Sequence, residues 1–226
     1  AMLGRFAGAA LLLAITSAGA VAQQAADTVA PEQATPSLTA AASAAPVRAR
    51  EWMISAANPL AARAGAEMLE AGGNAIDAMV AVQLVLGLVE PQSSGLGGGA
   101  FLVHFDAASG SLTTLDGRET APSAARPQLF LDGQGEPLSF FDAVVGGLSV
   151  GVPGTPRLLE TAHRKWGKLA WGRLFEPARR LARDGFAVSP RLAGAIAADA
   201  ARLATSPATA AHFLPGGAPL AAGAML

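Results

Sequence analysis

The sequence predicts an α+β fold with layered packing. Three observations predict it. Several segments carry apolar residues at helical spacing between clear start and stop residues. One pair of short segments alternates apolar and polar residues around a four-residue turn. One helical segment is apolar on nearly every side, so other elements must cover it. With 226 residues, 51% of them hydrophobic and 15% charged, the chain can bury a sizeable core.

In chain order, the apolar stretch Trp52 to Ala57 is predicted to be a strand. Asn58-Pro59 then starts a helix, with Asn58 as N-cap and Pro59 in the first turn. Gly72-Gly73 stops that helix. Asn74 caps the next, and Asp77 stands three residues in, where a carboxylate suits the helix dipole. From Ala75 to Val89 only Asp77 and Gln83 are strongly polar, so this helix belongs in the core. It is too short to span a membrane, which takes about 20 residues. Pro91 ends it. Ala100 to Asp106 and Ser111 to Asp116 are predicted to pair as a hairpin. Val144 to Val150 is a further strand candidate. Pro156 to Trp166, Trp171 to Asp184 and Ser189 to Leu203 are predicted to be amphipathic helices, with Gly167 and Gly185 between them.

The first 50 residues differ in kind. Arg5 followed by the apolar run Phe6 to Ile15 and then Ala20-Val21-Ala22 fits a secretory leader over residues 1–22 with a small-x-small cleavage site. The rival is an uncleaved anchor, which the shortness of the run disfavours. Residues 23–50 are rich in Ala, Pro, Gln, Ser and Thr and are expected to be a flexible linker. The compact domain is expected over 51–226. This parsing implies a periplasmic or secreted location and no stable membrane span.

Composition excludes several classes of function. The formal net charge is −1, so no basic surplus points to nucleic acid. Cysteine is absent, which removes disulfides, thiolate nucleophiles and Cys-based zinc sites. His104, His163 and His212 are scattered without metal-ligand spacing, so neither a metal nor a cofactor is expected. His104 is expected to be structural, and His163 is expected on a solvated helix face. His212 is expected in a loop.

Two motifs imitate known chemistry. The run Gly95-Leu96-Gly97-Gly98-Gly99 looks like a phosphate loop. Such loops follow a strand and open a helix, so that free N–H groups face the anion. Here a helix ends, the glycines follow and a strand begins. Lysine occurs only at Lys165 and Lys168, so no Gly-Lys-Ser/Thr exists. Glycine here is better explained by close backbone approach. Gly147-Leu148-Ser149-Val150-Gly151 matches a hydrolase nucleophile elbow. The elbow needs a helix to start directly after the serine, yet Val152-Pro153-Gly154 intervenes. Ser149 is expected to be a strand residue.

The informative stretch is LDGRETAP, Leu115 to Pro122. Arg118 at the end of a strand presents a rigid fork suited to a carboxylate. Taken alone, a surface ion pair with Glu119 or Asp116 is the better explanation. Together, GGNAIDA (72–78), PQSSGLGGG (91–99), GRETAP (117–122) and VPGT (152–155) occur in an order and spacing that resembles the gamma-glutamyltranspeptidase (glutathione hydrolase) family. The resemblance runs from about Trp52 to Leu226 and is to the N-terminal, large-subunit part of the precursor.

That resemblance implies an incomplete N-terminal-nucleophile hydrolase fold, a four-layer αββα sandwich. It implies a precursor that cleaves itself before a threonine, which then heads the small subunit and acts as nucleophile. The substrate would be a small γ-glutamyl compound such as glutathione, with the glutamyl group passing to water or an amine acceptor. Arg118 maps to the arginine that holds the substrate α-carboxylate. No catalytic residue maps to this chain, and Gln92, Glu119 and the glycines map to supporting roles. Gly97 to Gly99 are expected to lie against the strand that carries Arg118. The remainder of the large subunit and the small subunit are absent from these 226 residues, so the chain alone is expected to be inactive. The alternatives are a related acylase and a non-catalytic extracytoplasmic carboxylate-binding module.

Overall fold

The computed structural model describes residues 46–226. The leader and most of the linker predicted over residues 1–50 therefore lie outside the described residues. Residues 53–226 form one compact unit. Its order is α1 (Pro59–Glu70), α2 (Ala75–Val89), β1 (Ala100–Asp106), β2 (Ser111–Gly117), α3 (Phe140–Val144), α4 (Thr155–Trp166), a 3-10 turn (Trp171–Phe175), α5 (Glu176–Asp184), α6 (Pro190–Ala198), α7 (Ala200–Leu203), α8 (Pro207–Phe213) and a 3-10 turn (Pro215–Gly217).

Helix α2 organises the core. Its start is a full capping box: the Asn74 side chain accepts from the Ile76 and Asp77 backbone N–H groups, and Asp77 accepts from the Asn74 N–H at 2.9 Å. Helix α1, capped by Asn58 with Pro59 at its first position, packs along α2 through small residues. A Cβ on Gly65 would press on Val82 and Ile54 at 2.7 Å, so the two helices touch closely there. Val80, Ala81, Val85 and Val89 of α2 are fully buried, as are Leu159 of α4, Leu174 of the 3-10 turn and Leu192 of α6 around it. Burying one such aliphatic side chain contributes about 1.5–3 kcal/mol.

Asp77 ties this core to the distant end of α4. Its carboxylate is fully buried and accepts from the backbone N–H groups of Lys168 and Leu169 as well as from Asn74. Alanine at position 77 removes the acceptor of these part-buried donors, at up to about 1–3 kcal/mol each. Asp77→Ala is thus expected to lower stability by roughly 3 kcal/mol or more, read as a drop in the denaturant midpoint. A shift below about 0.5 kcal/mol, the size of an ordinary surface change, would show that the network is dispensable.

Strands β1 and β2 form a two-stranded antiparallel sheet with Ala100 opposite Gly117 and Asp106 opposite Ser111. At its turn the Ser109 hydroxyl and the Ala108 N–H bond to Asp106, holding that carboxyl below the usual range. One face of the hairpin rests on α4, with Leu102 and Leu115 packed into the core and His104 stacked on Trp166 at 4.3 Å. The other face is open. Phe101, Val103, Phe105 and Leu112 are 69%, 66%, 61% and 66% exposed. Scattered exposed apolar residues are ordinary, but a contiguous apolar sheet face is not. The hairpin thus has one face on the helices and one face bare.

Several sequence expectations are corrected. Residues 52–57 form no strand, because no neighbour pairs with them; Ile54 and Ala56 instead pack on the core. Residues 145–150 form no strand either. Ser139 caps a short helix over Phe140–Val144, and the exposed Ser149 turns back to donate its hydroxyl to the Val144 carbonyl at 2.9 Å. The helix expected over 171–184 divides, since Pro177 lacks the N–H that an α-helical bond to Arg173 needs. The helix expected over 189–203 breaks at Asp199, whose backbone leaves helical geometry (φ −103°, ψ 7°) and whose carboxylate pairs with Arg202. His212 belongs to α8, where a loop was expected. His163 is not on a solvated face. Its side chain is largely buried, and Nε2 donates to the Leu169 carbonyl at 2.8 Å. Among the described residues no helix is long and apolar enough to cross a membrane.

Candidate functional site

Arg118 directly follows β2. The Asp116 carboxylate accepts from the Arg118 N–H at 2.9 Å, which turns the chain out of the strand. The Arg118 side chain is 68% exposed, and its Nη1 lies 3.1 Å from Glu119 Oε2. The Glu119 carboxylate lies against Gly98 and Gly99. Its Oε2 is fully enclosed yet has no hydrogen-bond partner among the described residues, so its contact with Arg118 is an ion pair without hydrogen-bond alignment.

The backbone behind this pair is built from glycine. The segment 151–155 lies against Gly98, which precedes β1, and against the end of β2. Thr120 and Val152 exchange backbone hydrogen bonds, and the Gly98 carbonyl accepts from the Gly154 and Thr155 N–H groups at 3.1 and 3.0 Å. A Cβ on Gly154 would overlap the Gly117 carbonyl oxygen, and one on Gly99 would overlap the Glu119 carboxylate. Gly151 is also close, with a Cβ 2.9 Å from Glu119 Cβ. Three motifs far apart in sequence therefore meet in one junction. Gly98 and Gly99 lie against Glu119, beside Arg118, as expected of this loop. Gly97 does not: nothing comes within 4 Å of a Cβ there.

The PQSS turn is anchored separately. Glu90, buried at the end of α2, accepts from Asn58 Nδ2 at 3.0 Å and from Gln92 Nε2 at 2.6 Å. Gln83 Nε2 donates to Ser94 Oγ at 2.6 Å. Gln92 thus has a supporting place. Glu90 was missed in the sequence reading, although a carboxylate ending an otherwise apolar helix was the available signal.

Beside Arg118 a cavity of about 230 Å³ opens, lined by Asp116, Arg118, Thr120, Pro153, Arg157 and Leu158. Ser149 lies outside it and is held in a loop, with no histidine bonded to it. The cationic groups of the cavity are Arg118 and Arg157. Among the described residues no cluster of three or more His, Asp or Glu could hold a metal.

The family profile described as gamma-glutamyltranspeptidase matches residues 61–226. This chain belongs to that family. The glutathione hydrolase proenzyme of Bacillus subtilis (strain 168) is 42% identical over 174 residues, covering 77% of this chain and 30% of that protein. The crystal structure of Helicobacter pylori gamma-glutamyltranspeptidase superposes with a TM-score of 0.75 at 34% identity, over 80% of this chain and 52% of that one. The cephalosporin acylase of Bacillus halodurans superposes with a TM-score of 0.62 at 28% identity, over 81% of this chain and 36% of that one. The fold is therefore the α+β architecture of N-terminal-nucleophile hydrolases, represented by one helical and one sheet layer. The chain spans 30% of the length of that Bacillus subtilis relative and 21% to 25% of others it matches.

Proposed function

We propose that this gamma-glutamyltranspeptidase-family chain is the N-terminal part of the large subunit of an enzyme that cleaves γ-glutamyl amides such as glutathione. The observation that carries this reading is Arg118, exposed at the exit of β2 beside a cavity. Its guanidinium would bind the α-carboxylate of the γ-glutamyl group through two parallel hydrogen bonds. A threonine heading the small subunit would attack the γ-carbonyl, with its α-amino group taking the hydroxyl proton. The amine leaves, and water or an acceptor amine then attacks the acyl-enzyme. Backbone N–H groups would stabilise the oxyanion. The nucleophile and the small subunit would come from polypeptide outside these 226 residues. The leader and linker over residues 1–50 fit export to the periplasm or medium.

The similarity to a cephalosporin acylase supports a second reading, an acylase acting on another amide with a carboxylate near the scissile bond. One assay separates the two. The complete gene product is expected to process itself and release p-nitroaniline from γ-glutamyl-p-nitroanilide, while the 226-residue chain releases none. Turnover by the 226-residue chain overturns the placement of the nucleophile. A processed complete product that is inactive on the γ-glutamyl anilide but cleaves a glutaryl amide supports the acylase.

A further inference from the structure

We propose that the cavity beside Arg118 binds a second carboxylate through Arg157, so that the enzyme favours γ-glutamyl amides whose amine portion is itself anionic. The proposal rests on the carboxylate-clamp reading of Arg118 and adds a neighbouring subsite to it. The end of β2 and the start of α4 meet at Gly117 and Gly154, and this close approach sets Arg118 and Arg157 on one cavity of about 230 Å³. Its lining carries these two guanidinium groups and one carboxylate, Asp116, which already accepts from the Arg118 N–H. The balance is positive, and the apolar wall of Leu115, Val152 and Leu158 offers no counter-charge. Helix stability does not explain Arg157. A cation in the first turn opposes the helix dipole, and the first turn of α4 holds no acidic residue. Among the described residues its one side-chain partner is Glu160, reached through Nη1 at 2.8 Å in an exposed pair of the kind that contributes little. Glu160 also lies 3.7 Å from Arg164, so one carboxylate faces two arginines. Arg157 therefore keeps both net charge and unused N–H donors for an anion. With the α-carboxylate on Arg118, a substrate that fills the rest of the cavity meets Arg157. The ligand class is a γ-glutamyl amide with a carboxylate on its leaving amine, as at the C-terminus of a γ-glutamyl peptide.

The test is steady-state kinetics of the complete, self-processed gene product on γ-glutamyl-p-nitroanilide and γ-glutamyl-3-carboxy-4-nitroanilide, which differ by one carboxylate on the leaving amine. The readout is the ratio of kcat/KM for the carboxylated substrate to that for the plain one. Comparing each variant's ratio with the parent's cancels the intrinsic difference between the two anilines. Arg157→Gln is expected to lower the ratio about three- to fivefold, the size of a solvent-exposed charge pair. Glu160→Gln, which removes the competing carboxylate, should raise it. Added salt should lower the parent ratio and hardly move that of Arg157→Gln, since exposed charges are screened. A purely structural role for Arg157 would change both kcat/KM values together and leave the ratio and its salt dependence as in the parent, and that result overturns the proposal. If Arg118→Ala lowers both kcat/KM values while Arg157→Gln keeps the parent ratio, the subsite fails and the clamp stands. If Arg118→Ala lowers neither, the clamp itself fails and the subsite with it. Should Arg157→Gln not process, the Glu160→Gln ratio decides: a rise supports the subsite, and an unchanged or lower ratio overturns it.

Discussion

Alanine at position 154 is expected to cost this chain about 3 kcal/mol or more of stability, near the upper end of overpacking effects. The reason is where the added atom would go. A Cβ on Gly154 falls on the Gly117 carbonyl oxygen, with the Arg118 carbonyl 2.9 Å away. Both obstacles are backbone, so no side-chain rotation relieves them. Relief requires the 151–155 segment to retreat, which breaks the bonds from Gly154 and Thr155 to the Gly98 carbonyl and loosens the bridge between Thr120 and Val152. The damage therefore spreads to the turn that carries Arg118. Gly97→Ala is the matched control. Open space surrounds a Cβ there and the backbone is not left-handed, so its effect should stay within about 0.5 kcal/mol. Denaturant unfolding of both variants measures the contrast, and equal midpoints would falsify the junction as described.

The second large effect is kinetic. Arg118→Ala in the complete, processed gene product should raise KM for the γ-glutamyl anilide roughly 30- to 150-fold. That range is the 2–3 kcal/mol of a lost charged hydrogen-bonded pair expressed as a ratio. The side chain is 68% exposed and supports no core packing, so folding should survive the change. Arg118→Lys should not restore the parent value, because an ammonium cannot make two parallel hydrogen bonds to one carboxylate. A wild-type KM in Arg118→Ala would remove the residue from substrate binding.

The helical part of the fold was legible because its signals are local. Asn58-Pro59, Asn74 with Asp77, and Gly72-Gly73 each act within one turn of the residue they cap, and each helix end falls where they place it. The hairpin was legible for the same reason, its alternation and its turn being adjacent in sequence. Other failures were non-local. Residues 52–57 and 144–150 have apolar content suited to strands, but a strand exists only if another segment supplies hydrogen bonds, and none does here. His163 looked solvated beside Arg164 and Lys165. Its burial comes from Asp77 and Leu169, which contact it through tertiary packing.

The site divides along the same line. By itself the sequence determined the family, through four motifs in order. It also offered Arg118 as a candidate through that resemblance, and it spoke against a phosphate loop by the order helix, glycines, strand. Only the tertiary structure decided what the glycines are for. Gly98 and Gly99, Gly117, and Gly151 and Gly154 belong to separate motifs that no spacing rule connects. Folding brings them into one junction where backbone lies on backbone and the Glu119 carboxylate fills the gap. Steric exclusion of this kind depends on which segments meet in space. For that reason it could not be read from the order of residues along the chain.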